Sequence, residues 1–420
     1  MTGVSVALDR YKTLALGFAL VLVAILPLEG TTGFRYILLA GALLFLAVHY
    51  CLDRRSWRTF RLPVWQLWGL YGALAGIGLL WAIDASYSLE EIRKEIIIGF
   101  LFFVLGVNLF NDDRGWDALF RVSVISYLFQ TTYCLVAWLT VGSTTPKGSL
   151  GTWNTGPGGF STYLVTILPF LILCVVDRTK SGASAAKFIL AILLLHLSAL
   201  FATGNRQGLV VVVLEMLLMS VMLARTFGRV KAGLVLLVLI GVATAIFSQK
   251  MVTRAGLEPG IEALNISRAL NKDRRLPTWR FVWEDTLHDP WKGAGFGRNT
   301  FSHRYAGQPI LEGFPHAHAH NFIIDRLIQL GFPGVIAFLL LFWSVPLCLC
   351  RGRSVSDSSW RLAVAGVTLC AGIFAKNMTD DFFFREYGYL FWVISGALLG
   401  RQYHEMLKVN SSLCGVEIKG

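Results

Sequence analysis

The stretch His316-Ala317-His318-Ala319-His320-Asn321, the nine residues Phe322–Leu330 and then Gly331-Phe332-Pro333-Gly334 closes the one long hydrophilic segment of this chain. Directly after it comes an apolar run over 332–350, long enough to cross a bilayer as a helix. A histidine where a polar segment meets a membrane helix can handle a proton at the water–lipid boundary.

The rest of the chain repeats the apolar theme. Of 420 residues, 55% are hydrophobic and only 15% are charged, against about 25% charged in a soluble globular protein. Hydropathy places twelve spans at about 13–29, 34–51, 63–83, 95–111, 117–141, 160–177, 185–203, 207–224, 231–249, 332–350, 361–376 and 386–401. The expected organisation is an all-α integral membrane protein. Spans fill 1–249 and 321–402, a polar loop with amphipathic helices fills 250–320, and a tail fills 403–420. The first apolar run lacks a cleavage site and reads as a retained helix.

A net charge of +12 could suggest nucleic acid, but the distribution of cations gives another account. The N-terminus, alternate short connections and the tail carry twenty of the 38 Lys and Arg residues, and the opposite short connections carry seven. Excess positive charge marks the cytoplasmic side. Both termini are therefore expected in the cytoplasm and the 250–320 loop outside, in the periplasm if the chain is bacterial, and no nucleic-acid partner is expected. The seven cysteines form no CxxC pair and none lies in the polar loop, which fits apolar packing better than disulfides or zinc.

Four polar places stand on the expected outer face. Arg206 sits in the tight turn Thr203–Gly208, where its planar guanidinium suits a phosphate, although taken alone it reads first as snorkelling to lipid headgroups. Arg280 lies on an amphipathic helix that ends near Asp289-Pro290, followed by the irregular run Gly293-Ala294-Gly295-Phe296-Gly297. His316, His318 and His320 alternate, which suggests a metal, but no cysteine or HExxH pattern accompanies them. His303 and His316 read as surface residues. Asp380, Asp381 and Arg385 form an ionic rim or orient a histidine or sugar, and the aromatic residues beside them read as interfacial packing. Inside the spans, His196 and Glu215 are expected to pair with each other across a tight turn. The glycine-rich Gly151–Gly159 lacks a following Gly-Lys-Ser/Thr, so it is no phosphate loop.

The pattern resembles the O-antigen ligase and polymerase superfamily of bacterial membrane glycosyltransferases. The carrying element is His-Asn, nine residues, then Gly-x-x-Gly, met here by His320, Asn321, Gly331 and Gly334. Arg206 and the Arg280…Trp283…Pro290…Gly293-x-Gly295 run resemble the family's arginines. The resemblance implies a GT-C-like fold of about twelve helices in the bacterial inner membrane. It implies an undecaprenyl-pyrophosphate-linked glycan as donor and a lipid A–core as acceptor in lipopolysaccharide biosynthesis. No metal and no other cofactor is implied. His320 would be the base, Arg206 and Arg280 the pyrophosphate ligands, with Asn321, Asp380, Asp381 and Arg385 supporting. The alternatives are an O-antigen polymerase, a protein O-glycosyl ligase and, from another class, a polytopic transporter or flippase. Against the latter, transporters usually show repeated halves and polar groups at the membrane midplane.

Overall fold

The computed structural model describes residues 2–28, 30–52, 60–141, 156–179, 182–229, 232–233, 241, 275–308, 318–379 and 381–413. All regular structure among them is helical. The helices are α1 (Thr2–Ile25), α2 (Thr32–Leu52), α3 (Trp65–Gly78), α4 (Ala85–Glu91), α5 (Ile98–Leu109), α6 (Asp113–Val141), α7 (Pro157–Arg178), α8 (Gly182–Thr203), α9 (Arg206–Phe227), α10 (Arg275–Thr286), α11 (Thr300–Arg304), α12 (Phe322–Arg351), α13 (Asp357–Asn377) and α14 (Arg385–Leu413). A π-turn over Ile92–Ile97 joins α4 to α5.

Seven of these, α2, α6, α7, α8, α9, α12 and α13, are long and apolar enough to span a membrane. The chain is an all-α, multi-pass membrane protein. Five of the twelve expected spans are not among these seven: 13–29 and 386–401 fold as the long helices α1 and α14, and the other three differ for identifiable reasons. The expected span 63–83 folds as the short α3 plus a 3-10 turn over Leu79–Trp81, and 95–111 is shortened by the π-turn. The span 231–249 lies almost wholly outside the described residues.

α7 is the central helix: every residue from Gly159 to Val176 is buried. It packs against α8, α9, α13 and α14, so its continuous apolar run faces protein on all sides. The tightest helix pair is α5 against α14. Gly106 lies on the Val393 carbonyl, and Gly396 and Gly400 lie on the carbonyls of Phe103 and Val107. A methyl group at any of the three would strike backbone, and small residues that let helices approach this closely are the usual glue in lipid.

The ionic contacts sort the bundle into two ends. At one end Lys12 pairs with Asp112 (2.6 Å), Arg361 with Asp177 (2.6 Å), Arg225 with Asp357 (2.8 Å), and Arg401 and Lys408 with Asp113 (2.5 and 3.1 Å). At the other, Arg35 pairs with Glu386 (3.4 Å), Arg385 with Glu91 (3.3 Å) and Arg326 with Glu95 (2.8 Å). Among the described residues no ion pair joins the two sets, and they coincide with the two faces derived from the count of cations.

His196 and Glu215 are fully buried, but neither ring nitrogen of His196 and neither oxygen of Glu215 has a hydrogen-bond partner. The expected pairing between them is not made. His196 stacks on Tyr127 instead, and Glu215 presses against Gly372 of α13.

Candidate active site

The polar loop returns to the bundle at a strained junction. His320 has φ 56°, a left-handed conformation that a residue with a Cβ seldom adopts. The hydrogen bonds on either side explain it. The Ala319 amide donates to Asp325 Oδ1 (2.8 Å), and Asn321 Oδ1 accepts from the amides of Ile323 and Ile324 (3.0 and 3.1 Å). The chain must reverse within one residue for both bonds to form, and His320 is that residue. Asn321 is thus the N-cap of α12. Its Nδ2 also donates to the Met378 carbonyl (2.9 Å), tying the loop to the end of α13. The side chain is therefore spent on anchoring the backbone.

α12 runs for three turns and breaks at Gly331, where φ is 66° and ψ is −169°. A Cβ there would lie 2.8 Å from the Pro290 carbonyl oxygen. The break exposes backbone carbonyls at the end of the short first segment, and the glycine-rich run takes them up. Ala294 N donates to Ile328 O (2.7 Å) and Gly295 N to Gln329 O (3.2 Å), while Phe332 N donates back to Pro290 O (2.9 Å). Gly334 sits against Leu330 of its own helix. The two glycine motifs, far apart in sequence, therefore interlock as one structure. On the far side, Ile83 N donates to Ala294 O (2.9 Å) and Asn299 N to the Tyr87 hydroxyl (2.9 Å). Burial pushes the Tyr87 phenol up to about 12, so it serves as a neutral hydrogen-bonding group.

This lattice delivers Arg298 to His318. Arg298 Nη2 lies 2.6 Å from His318 Nε2 and donates to the Asp381 carbonyl (2.6 Å). Its guanidinium lies over Phe384 at 4.2 Å. The rings of His318 and His320 are 4.1 Å apart between centroids. One ligand atom each from His318, Asp325 and Asp381 lies within 4.8 Å of the others, and all three residues are buried. Such a group has the donor set to hold a cation, but the Arg298 guanidinium already presents its positive charge there. Behind the cluster the π-turn aims Glu95 at Arg326 (2.8 Å), whose other arm reaches Gln329 (2.5 Å). Phe296 and Phe338 cover the Arg326 guanidinium. Beside this, a cleft of about 140 Å³ is lined by Thr32, Arg35, Tyr36, Lys94, Arg385 and Tyr389, among others.

The other expected residues fall as follows. Arg206 starts α9 at the same end of the bundle: its neighbour Gln207 donates to Ala375 O (2.7 Å), one turn before the Met378 carbonyl that holds Asn321. Arg280 does not converge on His320. Its side chain is 81% exposed and pairs with Glu284 (2.8 Å) on the opposite face of α10 from the buried Thr278, Val282 and Thr286. The neighbouring Trp279 does reach the site, donating to Ala319 O (2.6 Å). Asp381 is brought to the cluster, Arg385 stands exposed at its rim, and Asp380 and His316 lie outside the described residues. His303 is exposed, as expected.

Residues 188–339 match the family described as O-antigen ligase. This segment is an O-antigen ligase family domain. It contains Arg206, Arg280, Arg298, His318, His320, Gly331 and Gly334, whereas Glu95, Asp381 and Arg385 come from outside it. Function of the O-antigen ligase or polymerase type follows, with lipid-linked glycans as the substrate class. No curated protein matches the chain.

Proposed function

We propose that the chain is an O-antigen ligase of the bacterial inner membrane, moving a glycan from undecaprenyl pyrophosphate to a sugar hydroxyl of lipid A–core. The observation that carries this is His320 itself. It stands at a backbone reversal fixed from both sides, at the mouth of a broken helix within the ligase-family segment. Fixed placement of a base is what proton transfer to an attacking hydroxyl requires.

In this reading the site faces the periplasm and both termini face the cytoplasm, as the cation count favours. The acceptor hydroxyl oxygen attacks the anomeric carbon while the bond from that carbon to the pyrophosphate oxygen breaks. His320 takes the hydroxyl proton, and undecaprenyl pyrophosphate leaves with the bonding electrons. One displacement inverts the anomeric centre. Arg206 and Arg280 hold the pyrophosphate and offset its developing charge, which is the task a divalent ion performs in other transferases, so the reaction is metal-independent. For Arg280 this means exchanging Glu284 for phosphate when the donor binds. Asp381 supports the histidine pair through Arg298, Arg385 lies at the rim, and Gly331 and Gly334 keep the junction in place.

The test uses purified protein with undecaprenyl-pyrophosphate-linked glycan and lipid A–core, without metal or ATP. Glycan on lipid A–core is the expected product. Longer lipid-linked chains would replace ligase by polymerase, and no product with either acceptor would overturn the reading.

A further inference from the structure

The cleft beside the site is lined mainly by one sign of charge. Arg35 of α2, Lys94 of the π-turn and Arg385 at the start of α14 line it, and among the described residues Glu386 is the one carboxylate in its lining. Each cation is held from behind. Arg35 is 7% exposed and donates to the Thr31 hydroxyl (2.8 Å), to the Leu28 carbonyl and to Glu386 (3.4 Å). Lys94 Nζ reaches Glu90 and Glu91 (2.7 and 3.1 Å), and Arg385 reaches Glu91 (3.3 Å). An ammonium has three hydrogens and a guanidinium has five. All three side chains therefore keep a donor for a further acceptor. Arg385 is also strained: its φ of 42° is a left-handed conformation of the kind that collects at ligand clamps. The cleft opens at the edge of the bundle. Arg35 lies in the first turn of the span α2, which puts it at the level of lipid headgroups. Phe34 and Ile37 beside it are exposed, and the floor is apolar through Leu39, Ile98 and Phe102. Cations above such a floor suit the phosphate of an amphiphile whose chains stay in lipid. A water takes about 30 Å³, so a cleft of about 140 Å³ admits a phosphate group but no chain of sugars.

We infer that Arg35, Lys94 and Arg385 form a binding site for a phosphate group carried by the lipid acceptor. The course of residues 375–385 favours the acceptor over the donor. In chain order, the Ala375 carbonyl holds Gln207 beside Arg206, the Met378 carbonyl holds Asn321 beside His320, the Asp381 carbonyl holds Arg298, and Arg385 enters the cleft. Along this segment the histidine junction lies between Arg206 and the cleft. The helices divide in the same way. α9, which carries Arg206, packs on α7, α8 and α13, and the cleft is formed by α2, α5 and α14 with the π-turn. Transfer between two lipid-borne partners needs each of them held on its own side of the base. With the donor pyrophosphate at Arg206, a second phosphate site serves the acceptor. Naming the acceptor rests on the proposed function; binding of a lipid phosphate does not.

The experiment measures binding of lipid A–core, with and without its phosphates, to the full-length protein in nanodiscs of zwitterionic lipid, with no donor present. Wild type is expected to bind the phosphorylated form about tenfold more tightly than the phosphate-free form, or better. Lys94→Gln and Arg385→Gln lose that preference, and Lys94→Arg keeps it. A variant that only distorts the bundle weakens both forms alike, so the ratio of the two separates phosphate recognition from damage. Equal binding of both forms by wild type, or a preference that survives in both Gln variants, overturns the inference, and the wild-type arm decides even if a variant fails to fold. Equimolar undecaprenyl pyrophosphate or phosphatidylglycerol should leave the bound acceptor in place. Displacement by either gives the cleft to the donor carrier or to bulk lipid and overturns the assignment. In transfer assays the Gln variants raise KM for the acceptor about tenfold and leave KM for the donor unchanged. Failure of transfer with any acceptor would sink the proposed function and leave the binding result standing.

Discussion

The two ends of the bundle carry similar numbers of ion pairs but in different surroundings. At the end with His320 one pair is enclosed, Arg326 with Glu95 at 5% and 8% exposed, inside a rim where Arg385 is 48% exposed. At the end with Lys12 and Arg225 no pair among the described residues is as enclosed as that, and the Arg225 and Asp357 side chains are 57% and 70% exposed. An exposed pair stabilises by at most about 1 kcal/mol. A buried pair often contributes little net stability, yet removing one partner costs several kcal/mol. The Arg225–Asp357 pair therefore decorates the fold, and the Arg326–Glu95 pair is built into it. Buried ionic groups that an apolar set would replace without loss are expected where function needs them.

The sharpest way to break this contrast is at His320. His320→Ala should lower glycan transfer by roughly 10²- to 10⁴-fold, the usual contribution of a general base, with expression and melting behaviour close to wild type. Transfer at wild-type rate would remove the base assignment and with it the functional meaning of the strained junction. Next in size is Arg326→Ala, which leaves Glu95 buried without its partner. A loss of about 3–5 kcal/mol is expected, measured by denaturant unfolding in micelles. The double change Arg326→Met with Glu95→Gln should recover most of it. If the single variant lost no more than the exposed pairs do, the two ends would be energetically alike.

Smaller again is the effect at the α5–α14 seam. Gly396→Ala places a methyl 2.4 Å from the Phe103 carbonyl oxygen. The helices must part, at a cost of about 1–3 kcal/mol. Because the Tyr389 hydroxyl on α14 holds the Lys94 carbonyl of the π-turn (2.6 Å), a shifted seam should also disturb Glu95. Thermal unfolding alongside transfer activity distinguishes loss of packing from loss of the site.

Much of this was legible in the sequence for one reason: lipid allows few backbone solutions. The apolar runs gave the all-helical membrane fold, and cation counts gave two groups of segments that the ion pairs reproduce. His320, Asn321 and Gly331 stood out through the motif at the loop exit, but that Asn321 caps α12 and that the helix breaks at Gly331 came from the structure. Arg298 did not stand out, because among the loop cations nothing local distinguishes it. Its one signal is the glycine pair at 295 and 297 immediately before it, each at positive φ. Glu95 and Arg326 come together only through the π-turn, which has no sequence signature. Arg280 was singled out by its helix, yet the apolar face of that helix, through Thr278 and Val282, turns it outward.

The smallest effect is expected at the end with Arg225, where Asp112 caps α6 and holds Lys12. Its Oδ1 accepts from the Gly115 amide (2.7 Å) and its Oδ2 from Lys12 Nζ (2.6 Å). Burial pushes this carboxyl up, but the Lys12 ammonium and the amide outweigh it, and the net shift is below the usual carboxylate range. A carboxyl depressed by folding stabilises fully above its unfolded value, about 3.9, and loses that contribution as pH falls through the lower folded value. Asn caps a helix about as well as Asp, so Asp112→Asn removes the ion pair and keeps the cap. The loss at neutral pH should be under about 1 kcal/mol, read as faster amide exchange in the first turn of α6. The gap to wild type should hold steady down to about pH 5 and close below about pH 4. A gap that widened on acidification would contradict the sign. A loss of several kcal/mol would mean that this end is built as tightly as the site, and the contrast between the two ends would fail.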